Sequence, residues 1–107
     1  MDNDVTPVSY SLPLVGQAYT VTAISNTDGT TANSLVLTGI PQNFAVHGLL
    51  IFPVSRTTGG KTPQAFYAAY DATTLVVDPS DSSQVLVDVY VMATTTNPLP
   101  QLTVIVF

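Results

Sequence analysis

The run Val85-Leu-Val-Asp-Val-Tyr-Val-Met-Ala93 constrains the fold of this chain more than any other segment. Val85, Val87, Val89, Val91 and Ala93 recur every second residue, so an extended backbone sets all five on one face. A helix, with a period of about 3.6 residues, would scatter them around its axis. Leu86, Asp88, Tyr90 and Met92 form the opposite face, which is half polar. That face is either covered too or leaves apolar groups in water, as folded surfaces commonly do. A strand with one wholly apolar side predicts a sheet packed against a second layer.

Other segments follow the same pattern. Ala18–Ser25 alternates Thr20 and Thr22 against Tyr19, Val21 and Ala23, and ends at Asn26-Thr-Asp-Gly29, where Asp-Gly signals a turn. Asn33–Ile40 reads as a strand stopped by Pro41. Ala45–Val54 is the most apolar run and is expected to be central, with Pro53 at an edge, a bulge or the strand's exit. Arg56-Thr-Thr-Gly-Gly-Lys61 reads as a loop, and Gln64–Tyr70 returns with Phe66, Ala68 and Tyr70 on one side and Tyr67 on the other. Asp71-Ala72 marks a tight turn before Thr73–Val77, and Asp78-Pro-Ser-Asp81 marks another. Asn97-Pro-Leu-Pro100 is an extended connector to Leu102–Phe107, because a residue before proline is pushed away from helix. Glutamate is absent and Thr and Val dominate, so strong helix formers are scarce. The expected fold is all-β: one antiparallel β-sandwich of about eight strands, jelly-roll or immunoglobulin-like, with turns at roughly ten-residue intervals. Residues 1–107 read as a single domain, with 1–15 as an extended arm because of Pro7 and Pro13.

Charge is the second constraint. Charged residues make up 8% of the chain, against about 25% in ordinary domains, and the net charge is −5. The only cations, Arg56 and Lys61, share one loop, and no charged side chain lies between Val5 and Thr27, between Gly29 and Ser55, or after Asp88. Such a chain cannot neutralise a phosphate backbone, so no nucleic-acid partner is expected. It has no cysteine, which excludes disulfides and thiolate chemistry. Hydrophobic content of 46% argues against disorder. The longest apolar stretch, around Leu49–Val54, is far short of a membrane span, so no membrane association is expected. MDNDVTPVSY lacks the basic-then-apolar plan of a signal peptide, so synthesis in the cytoplasm is expected.

Candidate chemistry is sparse. His47 is the single histidine and has no Cys or Glu to complete a metal set, and no serine has a G-x-S-x-G setting. Asp78, Asp81 and Asp28 offer oxygens to calcium, yet Asp is equally the natural turn former at such places. Asp71 and Asp88 could form a carboxylate pair only if strands brought them together. Gly59-Gly60-Lys61-Thr62 lacks the first glycine of a phosphate loop. Neither an enzyme nor a cofactor is expected. Tyr67, Tyr70 and Tyr90 could line a sheet face and stack on a glycan, or pack inside the fold.

The uncharged C-terminal strand is either internal or an edge that something covers, since an exposed hydrophobic edge invites aggregation. Its Thr/Val-rich strands, Ser34-Leu-Val-Leu-Thr-Gly-Ile-Pro41 leading into a sheet, few charges and no cysteine make the chain resemble small β-rich structural proteins of tailed-phage virions. The resemblance is to capsid decoration proteins and head or tail accessory subunits, and it rests on no specific motif. It implies a non-enzymatic subunit, made in the host cytoplasm and placed in the virion, that forms homo-oligomers and contacts other subunits. The residues expected to contact partners are Arg56 and Lys61 for polar docking, with Leu102, Val104, Ile105, Val106 and Phe107 for packing. The alternative is a carbohydrate- or receptor-binding module using Tyr67, Tyr70 and Tyr90.

Overall fold

The computed structural model describes residues 16–22, 24–54, 67–93 and 100–107. Among these the chain is all-β, with seven strands: β1 (Gln17–Val21), β2 (Asn33–Leu37), β3 (Leu49–Pro53), β4 (Tyr67–Tyr70), β5 (Val76–Val77), β6 (Val85–Met92) and β7 (Leu102–Val106). They form two antiparallel sheets, a three-stranded one in the order β1-β7-β3 and a four-stranded one in the order β2-β6-β4 with β5 also paired to β6. The chain crosses between sheets after β1, β2 and β3 and again between β6 and β7, so neither sheet has its central strand until the last part of the sequence is in place. Among the described residues no helix is long and apolar enough to cross a membrane.

The central strands supply most of the core. Val85, Val87, Val89 and Val91 of β6 and Leu102, Val104 and Val106 of β7 are at most 1% exposed, alternating with residues that reach solvent. Ile24, Leu37, Ile40 and Leu49 complete the same hydrophobic cluster. Each such side chain contributes about 1.5–3 kcal/mol relative to its exposed state. Ala68 and Tyr70 pack against this core while Tyr67 stays exposed, which is the facing that the alternation in Gln64–Tyr70 predicts.

One expectation is corrected and one open choice is decided. Among the described residues the apolar run Ala45–Val54 is not central: β3 lies at the rim of its sheet and ends on Pro53, which cannot donate to a further ladder. The central place belongs to β7, whose inward side is apolar throughout. The C-terminal strand is therefore the internal one of its two readings, flanked by β1 and β3 over all five residues.

The edge opposite β2 is interrupted. β4 pairs with Val89–Met92 and β5 with Val85–Leu86, and between them a 3-10 turn, Ala72–Thr74, loops out of the ladder. Asp71 caps that turn by accepting the Thr73 N–H at 3.0 Å and its hydroxyl at 2.7 Å. Tyr19 of β1 reaches the other sheet, its hydroxyl donating to the Thr38 carbonyl at 2.5 Å. Burial raises the pKa of that phenol above its ordinary 10.0, so it stays a donor at neutral pH.

Candidate interaction surfaces

Register settles which side chains share each outer face, because residues opposite one another in an antiparallel pair point the same way. On the three-stranded sheet, Ala18, Ile105 and Leu50 form one row and Thr20, Thr103 and Phe52 the next. None of the six is charged, and Phe52 and Leu50 are 49% and 38% exposed. The three charge-free stretches of the sequence thus meet here, since each supplies one strand of this sheet. Sequence reasoning picked out Ile105 of this face and missed Leu50, Phe52, Ala18, Thr20 and Thr103. The signal for them was the three uncharged stretches taken together, but only the strand order shows that they converge.

The four-stranded sheet has a different outer face. Val36, Leu86 and Val76 form a row at one end, Ser34 and Asp88 lie in the middle, and Ala69, Tyr90, Met92 and Tyr67 occupy the other end. Two carboxylates border this face: Asp88, whose Oδ1 accepts the Ser34 hydroxyl at 3.1 Å, and the exposed Asp28, bridged opposite Met92. The three tyrosines divide: Tyr67 and Tyr90 lie on this outer face, whereas Tyr70 pairs with the buried Val89 and packs inward. The Asp28–Thr31 turn abuts the Tyr67 end. Gly29 sits there with φ +80°, and a Cβ on it would fall 2.9 Å from Met92 Cε and 3.2 Å from the Tyr67 hydroxyl.

The residues expected to contact partners are scattered by the fold. Leu102, Val104 and Val106 point into the core, and of the residues expected to pack against partners in that strand only Ile105 faces outward, beside Thr103. Phe107 is half-buried: its backbone bonds Gly48 in both directions at 3.0 Å, and a Cβ at Gly48 would lie 2.8 Å from the ring's Cζ. Arg56 and Lys61 lie outside the described residues.

The acidic residues stabilise turns. Asp28 accepts from the Thr30 N–H at 2.8 Å, the Thr31 N–H at 2.7 Å and the Thr31 hydroxyl at 2.7 Å, and these bonds, the Thr31 hydroxyl foremost, lower its pKa from 3.8 to about 2. Asp78 and Asp81 accept local N–H groups from Ser80 and Ser83, so Oδ1 of each is engaged in its own turn. Hydrogen bonds from the Ser83 hydroxyl and N–H lower the pKa of Asp81, and those from Thr73 lower that of Asp71. Among the described residues, His, Cys, Asp and Glu nowhere gather in a group of three that could hold a metal. The His47 side chain is exposed, while its backbone N–H donates to the Phe107 carbonyl at 2.6 Å. Asp71 and Asp88 do meet across strands, but through the Asp71 N–H and the Asp88 carbonyl.

An open cleft of about 250 Å³ lies between the end of β1 and the start of β2, lined by Val21, Ile24, Asn26, Asn33 and Leu35 among others. Its two side-chain amides are spoken for by backbone groups, that of Asn26 donating to the Ala32 carbonyl at 2.9 Å. Asn33 Oδ1 accepts the Asn26 N–H at 3.0 Å, and Asn33 Nδ2 donates to the Asn26 carbonyl at 2.9 Å and to the Val89 carbonyl at 3.4 Å. The amide that would recognise a ligand there is already committed to holding the loop shut.

No protein-family model, no curated protein and no solved structure matches this chain.

Proposed function

We propose that this protein is a non-enzymatic assembly subunit that docks through the charge-free outer face of its three-stranded sheet, first of all onto a second copy of itself. One observation carries this reading: six adjacent outward side chains on β1, β7 and β3 include no charge, in a molecule of net charge −5. Interface cores are depleted of charge because burying an ion costs several kcal/mol, on the order of magnitude that decides association. Elsewhere the acidic turns repel a like molecule, which favours contact at the neutral face. Thr20 and Thr103 can add hydrogen bonds without that desolvation cost.

Within this reading, the two sheets close on their common core as a single sandwich, with about eight strands in a jelly-roll or immunoglobulin-like arrangement. The setting we propose is a tailed-phage virion, with the protein as a capsid decoration or head or tail accessory subunit contacting neighbouring subunits. Its support is the similarity of composition and strand style.

The test is Phe52→Asp, at an exposed position of an edge strand. The wild-type protein is expected to run as an oligomer in size-exclusion chromatography with light scattering. The variant is expected to run as a monomer with an unchanged unfolding midpoint. A variant that keeps the wild-type mass would refute the assignment of this face.

A further inference from the structure

The outer face of the other sheet has the chemistry of a different ligand, and we propose that it binds a neutral oligosaccharide on a platform made by Tyr67 and Tyr90. These residues sit on adjacent strands, with Tyr67 opposite Met92 and Tyr90 opposite Ala69, which makes the two rings diagonal neighbours on one face. Diagonal positions lie about 7–8 Å apart, within reach of aromatic side chains. Ala69, opposite Tyr90, is exposed, Tyr67 is 50% exposed and Tyr90 is half-buried.

The platform is braced at its Tyr67 end. Gly29 lets its turn close against the Tyr67 hydroxyl and Met92, an approach that any Cβ would obstruct. Next along β6, Asp88 presents a carboxylate beside the Ser34 hydroxyl, and both can bond sugar hydroxyls. The Asp88 backbone is fixed from the far side, its N–H donating to Thr74 Oγ1 at 2.8 Å and its carbonyl accepting the Asp71 N–H at 3.0 Å.

Aromatic faces for C–H stacking, with the carboxylates of Asp88 and Asp28 and the Ser34 hydroxyl beside them, suit an uncharged polyol. A net charge of −5 disfavours an anionic glycan. This site is on the opposite sheet from the proposed assembly face, so the two assignments stand or fall separately.

The experiment titrates cellohexaose, maltohexaose and mannohexaose, each to millimolar concentration, into the isotope-labelled wild-type protein and follows amide and tyrosine NMR signals. One of the three is expected to shift Tyr67, Tyr90 and Asp88. Tyr67→Ala and Asp88→Ala should each weaken that response about tenfold, the scale of one lost stacking or charge-assisted contact. Tyr67→Phe, which keeps the ring, should retain it. The assignment is overturned if no sugar shifts these residues, or if the shifts centre elsewhere. It is equally overturned if the alanine variants respond as wild type, or if they change the oligomeric mass and leave the sugar response unaltered, which would make this a protein interface.

Discussion

The Thr74 hydroxyl occupies a gap in the four-stranded ladder: it accepts the Asp88 N–H at 2.8 Å and donates to the Asp71 carbonyl at 2.7 Å. Where the 3-10 turn leaves the edge, this one side chain replaces the backbone acceptor that β6 would otherwise lack. Thr74→Val keeps the shape and removes both bonds, leaving a part-buried N–H without its acceptor. It should cost about 1–3 kcal/mol in urea unfolding, with Thr74→Ser close to wild type. Equal midpoints for the two variants would show that the hydroxyl does not fill the ladder.

Asn33 is the single buried polar residue among those described, and it ties the loop after β1 to β6. Asn33→Ala leaves the Asn26 N–H and the Asn26 and Val89 carbonyls without that partner. A loss of about 2 kcal/mol is expected, with faster amide exchange at Asn26. Exchange at Asn26 unchanged from wild type would contradict the clasp.

The two faces of β7 should behave oppositely under mutation. Leu102→Ala, at a fully buried position, should cost about 2–5 kcal/mol. Ile105→Thr, on the outer face of the same strand, should cost about 1 kcal/mol or less and act mainly on oligomeric mass. Deleting 102–107 would remove a central strand and so report on folding alone.

Acid should weaken the fold in a defined window. The carboxyl of Asp28 has a folded pKa of about 2 against an ordinary 3.8, and those of Asp71 and Asp81 are also lowered. A depressed folded pKa gives stability that is present above the unfolded value and lost as pH falls through the folded one. The thermal midpoint should therefore drop between about pH 4 and pH 2, and Asp28→Asn should flatten that drop. A wild-type midpoint independent of pH across that range would contradict these turn assignments.

The strands and their inward faces were legible because period-two alternation depends only on neighbours along the chain. Val85–Val91, Ala68 and Tyr70 face the core, as their spacing predicts. Lateral order was not legible. Ala45–Val54 looks central by hydrophobicity alone, yet Pro53 suits an edge and the more regular β7 takes the middle. The Ala72–Thr74 turn sits where a two-residue turn was expected, because Asp71 caps a longer excursion through the hydroxyl and N–H of Thr73. Tyr67, Tyr70 and Tyr90 could be set on opposite sides of their own strands. Joining Tyr67 to Tyr90 required the register of β4 against β6.

The absence of cysteine allows the most direct test of the assembly face. Thr20→Cys places one thiol on the outer face of β1, and Ser82→Cys places one in an exposed turn as a control. Each is labelled with a thiol-reactive fluorophore over a range of protein concentrations. Docking through the charge-free face predicts that labelling of Thr20→Cys slows as concentration rises, while Ser82→Cys labels at a constant rate. Equal, concentration-independent rates at both positions would contradict it.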